Sequence, residues 1–254
     1  MSDAARITVA RSAVLLGFLT AWELSGRFFD ATWTSTPSLI AMQLADWAHD
    51  GLAWHIAVTL TEMAIGLAIG VPSGILLGLW LGRSPLPASL LRPFIVALNS
   101  VPVVALAPIL IMWFGLGMEP KIALVTLVSF LLLFFNTFAG AQAVDADWIA
   151  ALELMGATRR EQFRKAVAPA CVTWIFAGLK NALPYALIAA TIGEMMVARA
   201  GLGFLITSSS AVFDMTALYA VLVVLMLLGA AVNTLAESSE AFLLRWRPTL
   251  SEAR

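Results

Sequence analysis

The chain has 254 residues, of which 61% are hydrophobic and only 12% charged. Soluble domains carry about a quarter charged residues and must present polar surface to water, so this composition excludes a soluble globule and points to an all-α, polytopic membrane protein. A formal net charge of −1 gives no sign of a nucleic-acid partner, and the single cysteine, Cys171, excludes an internal disulfide or a thiolate metal cluster.

A helix needs about 20 apolar residues to cross the hydrocarbon. In chain order, residues 12–29, 55–81, 90–114, 122–140, 171–196 and 217–235 are the six candidates. The first follows Arg6 and Arg11 and is interrupted by Glu23 and Arg27, which are four apart and can pair on one helix face. No small-residue cleavage site stands out after it, so it reads as a retained span rather than a removed signal peptide. The second holds Gly66, Gly70, Gly74, Gly78 and Gly82, a stripe on which another backbone can approach closely. At 3.6 residues per turn the stripe drifts about 40° per step, which suits a partner crossing obliquely, inside the chain or on a second subunit. The third carries Pro93, Pro102 and Pro108, each lacking a backbone donor, so it must be kinked or broken. Broken helices survive in membranes only beside protein or a polar cavity, a first pointer to a transport path.

Between the fourth and fifth spans lies 153-ELMGATRREQFRKAVAP-169, which crowds Glu153, Arg159, Arg160, Glu161, Arg164 and Lys165 together. Thr158 to Glu161 has the form of a capping box, and Gly156 is a natural left-handed stop for a preceding helix. That helix can begin near Asp145 or Asp147, with Trp148, Leu152 and Met155 on one face. Pro169 then ends the second helix or bends it into the fifth span. The block therefore reads as two short amphipathic helices meeting at a Gly-Ala-Thr corner. A loop that merely fixes topology explains the basic residues but not the apolar stripe, which asks for a partner groove.

Orientation follows from the basic residues. With the N-terminus inside, Arg6, Arg11, Arg83, Arg92, Arg159, Arg160, Arg164, Lys165, Arg245, Arg247 and Arg254 fall on the cytoplasmic side. Only Arg27, Lys121 and Arg199 remain outside, with Lys180 inside a span. Both termini and the polar block are then cytoplasmic. Trp33, Trp54, Trp80, Trp113 and Trp246 fall at span ends, as an interfacial belt would have them. Arg199, Arg245, Trp246 and Arg247 read as anchors at the lipid boundary.

With these features together, the chain resembles the permease subunits of ABC importers, in particular the branch carrying nitrate, sulfonates, taurine, bicarbonate and thiamine-pyrimidine precursors. The family's cytoplasmic loop reads Glu-Ala-Ala, three residues, Gly, and a proline thirteen residues beyond. Here Ala151 is the central alanine, and Gly156 and Pro169 hold the glycine and proline positions, while Ala150 replaces the glutamate and Leu152 the second alanine. Supporting stretches are 54-WHIAVTL, 82-GRS, 101-VP, 113-WFGLG, 136-NTFAG, 178-GLKNAL, 193-GEM and 201-GLGFLI, with Glu62 where relatives often carry arginine. The resemblance implies a type I importer permease fold forming one transmembrane domain over residues 1–254, with coupling helices at about 145–169. It implies a bacterial inner-membrane location, two ATP-binding subunits on the cytoplasmic side, a solute-binding protein outside, and a second permease copy. ATP and magnesium would sit on the partner ATPases, since this chain has no phosphate-cradling GxxxxGK[ST] loop and binds no cofactor of its own. The coupling surface is then carried by Ala151, Gly156, Ala157, Thr158, Arg159, Glu161, Phe163 and Pro169. A small organic or inorganic anion is the cargo the branch suggests.

Ionisable groups at membrane depth are functional candidates by default. Lys180, well inside the fifth span, costs roughly 2.5–3.5 kcal/mol to insert, so it lines the solute path, pairs, or snorkels. Asn136 and Asn181 are path residues or packing hydrogen bonds. Glu62 pairs with a lysine or sits wet in a vestibule, and Glu194 is equally open. Gly201 and Gly203 mark a tight turn in a segment over 200–214 that is too short to span and suits an outer gate, re-entrant or at the surface. His49 and His55, six apart without a convincing acidic partner, do not make a metal site. Two rival functions remain. An ion-coupled secondary transporter would show intramembrane carboxylates or inverted repeats. A membrane-embedded enzyme would show a nucleophile–base pair or metal set.

Overall fold

The structure is a computed structural model that describes residues 3–28 and 34–243. The belt residue Trp33, the anchors expected at Arg245, Trp246 and Arg247, and the cytoplasmic Arg254 lie outside those residues. Among the described residues every regular element is a helix.

Helix α1 (Asp3–Phe28) is long and apolar enough to cross a bilayer and packs little of its surface against the rest of the chain. Its last turns hold the expected ion pair, Arg27 donating to Glu23 Oε1 from Nε at 2.9 Å and Nη2 at 2.8 Å. The same carboxylate accepts from the backbone N–H of Ser38 at 3.0 Å and its hydroxyl at 2.8 Å. Glu23 thereby ties α1 to α2 (Pro37–His49), a helix too short to register as an apolar run. Its sequence signals are nonetheless complete: Thr36 caps the N–H of Leu39, Pro37 opens the first turn, and Glu23 brings negative charge to the positive end.

Three long helices make the centre: α3 (Leu52–Gly82), α6 (Glu119–Gln142) and α9 (Ala168–Val197). Helices α3 and α6 run parallel in a fixed register. Gly66 faces Val125, Gly70 faces Thr126 and Ser129, Gly74 faces Phe130 and Leu133, Gly78 faces Phe134 and Thr137, and Gly82 faces Ala141. A Cβ at Gly74 would lie 2.6 Å from the Phe130 carbonyl oxygen, so only glycine allows the backbones this close. The glycine stripe is thus an internal seam, and α6 follows it along its whole length rather than crossing it at one point. Helix α9 returns antiparallel on the other side of α6, with Gly140 against Trp174, Gly178 against Asn136 and Gly193 against Lys121. Met63, Leu124, Val125, Val128, Ala186 and Ala190 fill the space between the three helices.

The expected third span is two helices, α4 (Pro85–Asn99) and α5 (Ala107–Phe114), bent by 84° across a 3₁₀ turn at Val103–Leu106. Pro93 lies inside α4 and Pro108 in the first turn of α5, so neither makes the break. Pro102 does: it has no N–H to offer and biases Val101 away from the helical region.

Helix α7 (Ala146–Leu154) and α8 (Arg159–Gln162) form the corner, and α8 passes through one π turn, Phe163–Val167, into α9. Arg159–Val197 is therefore one helical run of 39 residues. This corrects the expectation that Pro169 could end the second helix, which instead runs on into the fifth span. Proline in the first turn of α9 is accommodated by the widened turn just before it, where the Ala168 N–H reaches back to Phe163 O. Helix α10 (Leu202–Ala211) is a short apolar helix packed on α11 (Met215–Leu243) through Leu202, Val221 and Val224, and on α9 through Gly203 against Thr191 and Glu194. The segment over 200–214 is thus a folded helical plug. Among the described residues five helices are long and apolar enough to span, or six with the bent pair counted as one. Trp54, Trp80 and Trp113 are all exposed near helix ends, as a belt requires.

Candidate functional site: an exposed corner and a buried polar cluster

At one end of the bundle the corner is built by local capping. Asp145 Oδ1 accepts the Asp147 N–H at 2.9 Å to start α7. Gly156 stops it in the left-handed region at φ 77, with the N–H of Ala157 returning to Leu152 O at 2.9 Å. The expected capping box is present, Thr158 Oγ1 accepting the Glu161 N–H while Glu161 Oε2 accepts the Thr158 N–H at 2.9 Å. Gln162 Nε2 clamps the turn by donating to Ala157 O at 3.2 Å.

The corner presents an unusual surface. Ala151, Gly156, Thr158, Arg159, Phe163 and Pro169 are exposed, and Ala157 and Glu161 half-buried. Of the apolar face read from the sequence, Trp148 and Met155 are exposed while Leu152 is half-buried. Leu154, absent from that reading, is 91% exposed. The signal for it lay in the short α7, which packs only one side of its last turn, through Leu152, and leaves Leu154 outward.

Near the other end, α10 starts against three side chains from its neighbours. Its first donors have no cap of their own, and Gly201 sits at φ 113. The Gly201 N–H donates to His55 Nδ1 at 3.0 Å, the Leu202 N–H to Thr59 Oγ1 at 2.9 Å, and the Gly203 N–H to Glu194 Oε2 at 2.7 Å. Thr59 in turn donates to Glu194 Oε1 at 2.7 Å. Orphan donors of a helix N-terminus are thus satisfied from α3 and α9, with a carboxylate at the positive end of the dipole. A side chain at Gly201 would strike the Glu194 carboxyl, and one at Gly203 the Thr191 carbonyl.

Beside this clamp, Lys121 Nζ forms a buried ion pair with Glu62 Oε1. Lys121 was expected at the outer boundary; it is instead only 5% exposed, its stem lying on Gly193. Glu62 stands one step beyond Gly66 on the glycine stripe, and Lys121 one step beyond Val125 on α6, so the pair is the next rung of the same seam. Extending the four-residue ladder by one step would have found it.

The path candidates do not form one site. Glu62, Glu194, Gly201 and Gly203 converge at the α10 clamp. Asn136 donates to its own helix at Leu132 O, 2.8 Å away, and packs on Gly178. Lys180 pairs with Glu240, toward the end of α11, across the α9–α11 contact. Asn181 is exposed.

Comparison with known proteins adds the family. A profile described as binding-protein-dependent transport system inner membrane component matches residues 70–246. The chain is 31% identical to the formylaminopyrimidine transport permease protein ThiX of Halalkalibacterium halodurans, over 91% of this chain and 93% of that one. It is 30% identical to the riboflavin transport system permease protein RibX of Chloroflexus aurantiacus, covering 83% and 79%. It is 26% identical to the putative aliphatic sulfonates transport permease protein SsuC of Bacillus subtilis, covering 89% and 83%. Among solved structures it is similar to an amino acid ABC transporter with histidines, at TM-score 0.62 and 18% identity over 78% of this chain and 96% of that one. The inward-facing MetNI methionine ABC transporter is similar at TM-score 0.59 and 21% identity, over 74% and 92%. The chain belongs to the binding-protein-dependent transport system inner membrane component family, the membrane-spanning permease subunits of ABC importers.

Proposed function

We propose that two copies of this chain form the pathway of an importer that moves a small organic solute from a binding protein outside into the cytoplasm, driven by two separate ATP-binding subunits. The observation that carries this reading is the exposed corner at 145–169, where Trp148, Leu154 and Met155 stand out beside Arg159 and Arg160. A capped, rigid, partly apolar corner outside the spans is suited to receive a push and pass it along the continuous 39-residue helix into the membrane. Ala151, Gly156, Ala157, Thr158, Arg159, Glu161, Phe163 and Pro169 form the coupling surface, which faces the cytoplasm together with both termini. The single transmembrane unit then has α7 and α8 as its lever, and the α10 clamp around Gly201, Gly203 and Glu194 as its outer gate.

The cargo is a small water-soluble organic molecule, in keeping with the pyrimidine, riboflavin and sulfonate names of the relatives. The case for an anion weakens, because Lys180 is matched by Glu240 and Lys121 by Glu62. Asn181, exposed at span depth, is the better path candidate.

Co-purification with candidate ATP-binding subunits tests the reading. Gly156→Val places a side chain at φ 77, a region L-residues rarely adopt, and should abolish the complex while the α3–α6 core stays folded. Uptake into liposomes by this chain alone, driven by an ion gradient, would overturn the reading.

A further inference from the structure

At the same end of the bundle as the corner, the last turn of α3, the start of α4 and the end of α6 enclose a cleft of about 620 Å³. It is lined by Gly82, Arg83, Ala88, Ser89, Arg92 and Gln142. Two guanidinium groups and no carboxylate line it. Neither arginine has an ion pair or hydrogen bond among the described residues. Basic residues that only fix topology need no cleft and no such segregation from acidic side chains. Ala88, Ser89 and Arg92 share one face of α4, and the small, buried Ala88 leaves the floor open between the arginines. The opposite face of α4 is apolar and exposed, with Leu86, Leu90 and Phe94 each at least 70% accessible.

We propose that this cleft binds the headgroup of an anionic phospholipid. Arg83 and Arg92 offer planar donor forks that match phosphate oxygens. Ser89 Oγ already donates to Leu86 O at 2.9 Å, so its lone pairs remain for a headgroup hydroxyl, and the Gln142 amide can donate or accept. The acyl chains run into the hydrocarbon beside α4, whose outward face of Leu86, Leu90 and Phe94 is apolar. Basic pockets between membrane helices are suited to such headgroups, and a helix whose other face is apolar and exposed sets the cleft at a lipid boundary, which favours a lipid over a free anion.

The test uses the purified full chain in a neutral detergent, titrated with dioctanoyl phosphatidylglycerol, dioctanoyl phosphatidylcholine or inorganic phosphate. Thermal melting and native mass spectrometry are the readouts. Phosphatidylglycerol should raise the melting midpoint and remain bound through desolvation. In Arg83→Gln/Arg92→Gln its half-saturating concentration should rise about tenfold or more. Gln142→Glu, which sets a carboxylate in the cleft and leaves both arginines in place, should weaken binding in the same direction and decides the matter should the double variant not fold. Equal stabilisation by phosphatidylcholine overturns the proposal, as does an equal response to inorganic phosphate alone. An unchanged phosphatidylglycerol response in both variants overturns it too. So does a variant that keeps the lipid response but loses the ATP-binding subunits, which would give the cleft to those partners.

Discussion

At the scale of single residues, the energetics concentrate in Glu62 and Lys121. Both side chains are buried, and each charge is tolerable there because the other stands against it. Removing one partner of a buried pair leaves an uncompensated charge, at a cost of about 3–5 kcal/mol, whereas replacing both with apolar groups is often neutral. Glu62→Leu and Lys121→Met should each lower the melting midpoint in detergent strongly, and the double variant should recover most of the loss. Additive losses in the double variant would mean the two groups act independently. The Glu23–Arg27 pair, by contrast, lies at an exposed helix end and was legible from its four-residue spacing. Glu62 and Lys121 are 59 residues apart, so nothing local pairs them; only the packing of α3 on α6 does. The same holds for the clamp on α10. The turn at Gly201 was readable, but its partners His55, Thr59 and Glu194 come from two other helices.

Elements were legible in proportion to their length. Long apolar runs announce themselves through the thickness of a bilayer, so α3, α6, α9 and α11 were anticipated. Chain breaks were readable where proline forces them, as at Pro102, and helix boundaries where caps are spelled out, as at Gly156 and Thr158. Helix α2, with 13 residues, and α10, with 10, fall below any spanning criterion. The π turn at Phe163–Val167 has no sequence signature beyond the proline that follows it. The seam between α3 and α6 gives the sharpest test at this scale. A Cβ at Gly74 meets a backbone carbonyl, which cannot swing aside, so the helices must part and the rungs on either side loosen. Gly74→Val should therefore cost more than the 1–3 kcal/mol usual for an overfilled core. Gly17→Val is the matched control, since nothing lies within 4 Å of a side chain there. It should leave the melting midpoint unchanged or raise it, because glycine in a helix is unfavourable to begin with. Equal effects of the two substitutions would show that the seam is not held by close backbone approach.

For the whole molecule the decisive quantity is which way the bundle sits in the membrane. A run of 39 residues is roughly 58 Å long at 1.5 Å per residue, about twice the hydrocarbon thickness, so it must project from the bilayer at one end or both. Arg159, Arg160, Arg164 and Lys165 crowd the corner end, with Arg83 and Arg92 near it, so the positive-inside rule predicts that this end faces the cytoplasm. Val212, 74% exposed between α10 and α11, marks the opposite end. The only thiol in the sequence, Cys171, is fully buried, so the unaltered chain should react little with a membrane-impermeant maleimide and gives a clean background. Thr158→Cys should label only after the cytoplasmic face is opened, and Val212→Cys should label in intact cells. That pairing places the lever where ATP-binding subunits reside and the α10 clamp where a binding protein delivers its cargo. Labelling of Thr158→Cys in intact cells would invert the molecule, leaving the corner no nucleotide-driven partner to move it.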